Sequence, residues 1–272
     1  MKRIFIVGIA RSGTTLLQSF VGNHPDISTF PETHFFSVTL HKKKLFRALN
    51  YVTNKDREFV KKFFQENDLL DVYQDYKGSV LGSKQWTKYL LGLLDQIAIS
   101  EDNDCWLEKT PMHLYYVDLL ESLSDEVTFI HTVREPKSNI AALYDVSKKH
   151  PDAFKQNTLS KSIERYKREI SFSQRYLGKK NHIHVYYEDL VSNPKHVIEL
   201  VFDKLNMSYT EEIFNFHNNV NQIVSKSETW KSNNSNKLKL KNKLADRLTT
   251  SETQILESQL KGFTPSLLER YE

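Results

Sequence analysis

The sequence predicts an α/β fold, a central parallel sheet flanked by helices. Three observations lead there. Ile4-Phe5-Ile6-Val7 is a short, β-rich apolar run that stops at Gly8, the pattern of a strand buried on both faces. Thr14 to Val21 follows with helical spacing and stops at Gly22-Asn23-His24-Pro25, a helix-ending sequence. Further on, strand-like and helix-like segments alternate, which calls for parallel strands joined by right-handed crossovers.

The remaining elements read in chain order as follows. Residues 35–100 form a helical insertion after the first strand–helix unit, with helices at about 55–75 and 84–99. Cys105-Trp106-Leu107 is a short strand. A helix spans about 111–122. Val127 to Val133 is a strand, followed by helices at about 137–149 and 159–178. His182 to Tyr187 is the last strand. The stretch 218–243, with Asn233-Asn234-Ser235-Asn236 and lysines at 237, 239, 241 and 243, reads as an exposed flexible loop. A final helix covers about 250–261. There are no internal repeats and no clear linker, so one domain is expected across 1–272.

Composition narrows the function. The chain has 272 residues, 39% hydrophobic and 26% charged, an ordinary soluble globular balance. A net charge of +4 suits a small polyanionic ligand and is too weak and dispersed to argue for nucleic acid. Its single cysteine, Cys105, precludes a disulfide within the chain. Met1-Lys2-Arg3 and the apolar run after it resemble a secretion signal. However, that run ends at Ala10 without a small-residue cleavage pattern, and no segment is long enough for a membrane span. A cytoplasmic protein with no membrane partner is expected, as a monomer or homodimer.

Gly8-Ile-Ala-Arg-Ser-Gly13 carries the glycine spacing of a nucleoside-triphosphate-binding loop. That motif continues with Lys and then Ser or Thr; here Thr14 and Thr15 follow. Backbone amides at the start of a helix still cradle a phosphate, helped by the helix dipole. The lysine for β- and γ-phosphates is missing, and no strand ends in an aspartate that would hold magnesium. Arg11, Ser12, Gly13, Thr14 and Thr15 suit a single phosphate or sulfonate group. An altered P-loop kinase or nucleotidase is the competing enzyme class, and a non-catalytic nucleotide-binding module is the competing non-enzyme.

Arg11-Ser-Gly-Thr-Thr-Leu-Leu17, followed by His24-Pro25-Asp26 and Glu32, resembles the PAPS-dependent sulfotransferases. The nearest subgroup holds tyrosylprotein sulfotransferases and bacterial small-molecule sulfotransferases. Leu107-Glu-Lys-Thr-Pro111, Thr132-Val-Arg-Glu-Pro136 and Val185-Tyr-Tyr-Glu-Asp-Leu-Val191 with Pro194 agree in order, so the resemblance spans about 4–195. It implies a three-layer P-loop NTPase-like fold. It also implies a donor, 3′-phosphoadenosine 5′-phosphosulfate (PAPS), leaving as 3′-phosphoadenosine 5′-phosphate (PAP), with no metal required.

By the same resemblance, residues 11–15 hold the 5′-phosphosulfate, Arg134 the 3′-phosphate, and Tyr187 contacts adenine. A helix-start arginine paired with Glu135 or Glu169 is the competing reading of Arg134, and core packing that of Tyr187. The family's second 3′-phosphate residue, a serine eight positions after the arginine, is Ala142 here. Ser138 is the substitute, with Asn139 or Lys137 helping. Lys231, after Trp230, resembles the lysine of a late donor-covering loop.

Sulfuryl transfer needs a base for the acceptor hydroxyl and a cation for the leaving oxygen. Lys109 is the candidate cation, assisted by Arg11. Glu32 is the candidate base, with His113 and His34 as alternatives, since imidazole titrates near ~6.5. The acceptor is expected to be a small-molecule alcohol or phenol of specialised metabolism. Phe35, Phe36, His41, Tyr73, Tyr76, Trp86 and Tyr89 would line its pocket or pack as helix core.

Overall fold

The structure is a computed structural model, and it describes residues 1–47, 49–79, 82–123, 126–152, 154, 158–214 and 247–271. Five parallel strands form one sheet in the order β2-β3-β1-β4-β5. They are β1 (Lys2–Gly8), β2 (Ser28–Thr29), β3 (Cys105–Lys109), β4 (Val127–Val133) and β5 (His182–Tyr186). Alternation along β1 divides the core. Phe5 and Val7 join an aromatic cluster with Phe36, Trp86, Trp106 and Phe129, while Ile4 and Ile6 pack on the opposite face with Leu17, Phe20, Ile130 and Phe202. Helices cover both faces, giving three layers.

Helix α1 (Thr14–Val21) follows β1 as expected. The insertion carries α2 (Phe35–Thr39), α3 (Lys44–Arg47), α4 (Asn54–Glu66) and α5 (Ser83–Ser100). The expected helix at 55–75 stops at Glu66, because Asp68 turns into the left-handed region at φ 58°. The expected helix at 111–122 is a 3-10 turn, Pro111–Tyr116, running into α6 (Val117–Glu121). Then come α7 (Pro136–Lys149) and α8 (Leu159–Gln174), the latter shorter than expected. Tyr187 does not end β5; it opens α9 (Tyr187–Ser192), and α10 (Pro194–Leu205) follows with Pro194 in its first turn. A C-terminal helix spans Thr250–Leu260. The stretch 218–243 lies outside the described residues.

The aromatics of the insertion are largely core. Phe35, Phe36, Tyr76 and Trp86 are buried, and Tyr76 stands edge-on to Trp86 with ring centroids 5.0 Å apart. Cys105 is also core, and burial pushes its thiol up to about 12. No helix among the described residues is long and apolar enough to cross a membrane.

Candidate active site

Every parallel strand delivers a candidate residue at its C-terminal edge. β1 lies between β3 and β4, so successive crossovers leave it in opposite directions and open a crevice beyond its end. The loop from Gly8 to Gly13 fills that crevice.

Two glycines set the loop's shape. Gly8 has φ 148°, and a Cβ there would lie 2.6 Å from Thr132 Oγ1. Gly13 has φ 94°, and a Cβ there would lie 2.5 Å from the Tyr187 ring. Between them Arg11 adopts φ 71°, a left-handed conformation that side-chain-bearing residues rarely hold. Ser12 is buried. Its hydroxyl lies 2.6 Å from the carbonyl of Ile9 and 2.5 Å from Thr132 Oγ1, so it ties the loop to β4. Gly13 is the N-cap of α1 without a side-chain cap, which leaves the first amides of Thr14 and Thr15 directed at the crevice.

Arg134 reaches the loop from the end of β4. Its Nη1 donates to the carbonyl of Arg11 at 2.9 Å, and its guanidinium lies 4.3 Å from the centroid of the Tyr187 ring. Its Nε is buried and makes no hydrogen bond within the described residues. Neither acid suggested as its partner hydrogen-bonds to it. Glu135 caps α7 by accepting from the amides of Lys137 and Ser138, and Glu169 accepts from Arg165. Asn139 Nδ2 donates to the carbonyl of Ala10 at 3.4 Å, clamping the loop from α7. Ser138 is half-buried in the first turn of α7, and Ala142 is buried one turn further on. Lys231 lies outside the described residues.

Arg247, shortly before the C-terminal helix, adds a charge that no motif in the sequence marks. Burial lowers the Arg11 guanidinium pKa, and the nearby charges of Arg247 and Arg134 lower it further. Arg134 is likewise lowered by burial and by Arg247, against opposing contributions from Tyr187, Glu188 and Glu135. Three arginines thus act on one another around the loop, with Asp145, Glu188 and Glu135 opposing, an arrangement suited to a multiply charged anion.

Glu32 and Lys109 meet on the other side of the loop. Lys109 is fully buried at the end of β3 and donates to Glu32 Oε1. The same ammonium lies 3.4 Å from Thr15 Oγ1. His34 Nε2 is 3.3 Å from Glu32 Oε2 and is partly exposed, and its backbone is held at φ 53°. Glu32, Lys109, His34 and Thr15 therefore converge.

His113 does not join them. Its Nδ1 bonds Glu108 Oε2 at 2.8 Å, both side chains are fully buried, and its ring packs against Phe5, Phe36 and Tyr116. Glu108 was not singled out in the sequence. Its Oε1 accepts from the amide and hydroxyl of Thr33 (3.3 and 3.0 Å) and from the Thr110 hydroxyl (2.5 Å). Thr110 Oγ1 in turn accepts from the His34 amide at 3.3 Å. Burial alone would raise the Glu108 carboxyl, but His113 and the two threonines hold it below the usual carboxylate value. The buried acid thus pins the segment carrying Glu32 to the strand carrying Lys109.

The sulfotransferase family model matches residues 3–211. This chain belongs to the sulfotransferase family. Among solved structures, the sulfotransferase domain of the curacin biosynthetic pathway is similar at 21% identity, covering 94% of this chain and 96% of that one, with a TM-score of 0.57. The sulfotransferase domain of the Synechococcus PCC 7002 olefin synthase aligns at 20% identity over 94% and 93% of the two chains, TM-score 0.55. Mouse sulfotransferase SULT7A1, solved with PAP, aligns at 10% identity over 100% and 89%, TM-score 0.57. At these identities the likeness is one of fold, and it establishes the P-loop-like α/β architecture. No curated protein matches the chain.

Proposed function

We propose that this sulfotransferase moves the sulfuryl group of PAPS to a hydroxyl of a small-molecule alcohol or phenol. The observation that carries the reading is the buried Lys109–Glu32 pair at the rim of a phosphate loop, with Lys109 in reach of Thr15. The resemblance to a mouse enzyme solved with PAP supports the donor assignment.

The residues present fit such a donor. The cradle is too tight for a Cβ at Gly8 or Gly13, no side chain among the described residues caps the helix start, and the buried Arg134 Nε makes no hydrogen bond within the described residues. Residues 11–15 would hold the 5′ end. Arg134, with Arg247 and Ser138, would hold the 3′-phosphate. Tyr187, already stacked on Arg134, would offer its face to adenine. When bound, the donor supplies an activated sulfuryl group and a phosphate leaving group.

The chain's own groups do the rest. Glu32 takes the proton of the acceptor hydroxyl at a carboxylate oxygen. Lys109, with Arg11, stabilises charge gathering on the leaving oxygen, and their fixed positions avoid reorganisation during transfer. His34, bonded to the second oxygen of Glu32, orients the carboxylate and is the alternative base. His113 fits a positioning role through Glu108, since its ring is enclosed.

The test is incubation with radiolabelled PAPS and a panel of alcohols and phenols, with PAP binding measured by calorimetry. Label transfer together with PAP binding supports the reading. Tight PAP binding with no transfer to any acceptor supports a binding module instead, and magnesium-dependent ATP turnover supports the kinase class.

A further inference from the structure

A polar strap joins α1 to the edge strand β2, set back from the Lys109–Glu32 pair. Gln18 lies one turn along α1 from Thr14 and Thr15 and is fully buried. Its Nε2 donates to Thr29 Oγ1 at 3.1 Å and to the carbonyl of Phe30 at 3.0 Å. A carbonyl only accepts, so the amide nitrogen must be the end that faces Phe30. Thr29 passes the connection on: its hydroxyl donates to the carbonyl of Leu107 in β3 at 3.2 Å. The methyl of Thr29 is gripped as well. A Cβ at Gly22, which caps the end of α1, would lie 2.9 Å from Thr29 Cγ2.

Two sets of contacts therefore join the same three segments. In one, Lys109 of β3 meets Glu32, which follows β2, and Thr15 of α1. In the other, Gln18 of α1 meets Thr29 and Phe30, and Thr29 meets Leu107 of β3. Phe30 stands two residues before Glu32, Leu107 two before Lys109, and Gln18 three after Thr15. Residues two apart on a strand share a face, so Leu107 and Lys109 both turn towards α1, Leu107 into the cluster with Leu17 and Lys109 to Thr15.

Backbone pairing holds the Glu32 segment weakly, because β2 has only two residues, in register with Trp106 and Leu107. Packing does not call for a glutamine at position 18 either. Its neighbours Leu17, Phe20 and Val21 are core hydrophobics, and its own Oε1 is buried and accepts no hydrogen bond within the described residues. A buried acceptor left in that state costs stability that an apolar side chain would not. What the amide adds is two donated bonds, both aimed at the chain leading to Glu32. We infer that Gln18, acting through Thr29 and Phe30, is a positioning residue that holds the Glu32–Lys109 pair in place against the helix of the donor loop. This rests on the sulfuryl-transfer reading and extends it to residues that act on the reaction through others.

The test measures the Glu32–Lys109 coupling in urea melts of Glu32→Gln, Lys109→Met and the double variant. It is repeated with Gln18→Met, Thr29→Val or Thr29→Ser added. Gln18→Met and Thr29→Val keep the side chain's size and remove bonds of the strap, whereas Thr29→Ser keeps the hydroxyl. The first two are expected to lose about half of the coupling or more, and Thr29→Ser to keep it. With labelled PAPS and an acceptor from the panel above, the first two should lower kcat about tenfold or more and leave PAP affinity within about twofold, while Thr29→Ser holds kcat. Thr29→Val, isosteric at a half-buried site, carries the test alone if Gln18→Met does not fold. Parental coupling and kcat in Thr29→Val overturn the strap. So does a general loss of stability with undiminished coupling, or a Thr29→Ser variant that behaves as Thr29→Val does. Lost coupling in a protein whose parent binds no PAP and transfers no label would overturn the transfer reading and leave the strap standing.

Discussion

Lys109 and Glu32 are buried against each other on neighbouring strand ends, and Thr15 at the first turn of α1 lies within reach of the same ammonium. The candidate base and the candidate cation are thus each other's counter-ion before any substrate arrives.

Glu32→Gln is expected to lower turnover by about a hundredfold or more, since general-base contributions are of that order. PAP affinity should stay nearly unchanged, because the substitution keeps the side chain's size and leaves the arginines around the loop in place. Near-normal turnover in labelled-donor assays would exclude Glu32 as the base. Lys109→Met should lower turnover strongly and also destabilise the fold by about 3–5 kcal/mol, by stranding a buried carboxylate. In urea melts, Glu32→Gln/Lys109→Met should recover part of that loss; strict additivity would mean the two do not form a coupled pair.

Glu108→Gln tests the buried scaffold beneath that pair. The folded-state pKa of Glu108 is depressed, so its stabilising contribution is present above the unfolded carboxylate pKa and is lost as pH falls through the folded value. The variant should therefore be less stable than the parent at neutral pH by about 1–3 kcal/mol, and the gap should close in acid. Turnover should fall while PAP binding holds. A stability gap independent of pH would show that the charge of Glu108 plays no part.

Gly13→Ala should weaken PAP binding by at least about tenfold. Its Cβ would meet the Tyr187 ring at 2.5 Å, and φ 94° is strained for alanine. Arg134→Lys keeps the charge but loses the planar face stacked on Tyr187, and should also weaken PAP binding. Unchanged PAP titrations for both variants would remove the loop and β4 from the donor site.

Histidines between β4, β5 and α8 give the fold an acid limit. His182 Nε2 is 2.8 Å from Glu121, His182 Nδ1 is 2.8 Å from His131 Nε2, and His131 Nδ1 is 2.6 Å from the Ser173 hydroxyl. With Glu121 accepting, each imidazole is satisfied as a neutral ring. Burial lowers His131 and His182, and takes His184 from 6.5 down to about 4. The unfolded chain therefore binds protons first, and stability should fall as pH drops from about 6.5 towards 4. Thermal melts across that range check it, and His184→Leu should flatten the curve. A parent curve already flat there would refute the neutral-imidazole account.

Strands β1, β3, β4 and β5 were legible because β-branched and aromatic residues run together and end at loop signals. The Ser28–Thr29 strand is too short to leave a pattern. Helix α10 has a local signal in Pro194 and the Val197, Ile198, Val201, Phe202 spacing, a short apolar stripe interrupted by charged residues. In the site, Glu32, Lys109 and Arg134 sit beside strand ends and loop motifs that local sequence reveals. Glu108 and Arg247 do not, because what they do depends on the fold, Glu108 on its contact with Thr33 and Arg247 on its charge acting on Arg11. His113 had the right chemistry for a base, yet its neighbours Phe36 and Tyr116 close over it, an enclosure that a sequence cannot display.

The contact of Gly13 with Tyr187 has a consequence for redesign. The first loop and the start of α9 are cut to one another, so a bulkier residue in either must be matched by a smaller one in the other. An effort to make this scaffold accept a different nucleotide would do better to begin at position 187, leaving the glycines intact, because that ring can be trimmed without bending the main chain.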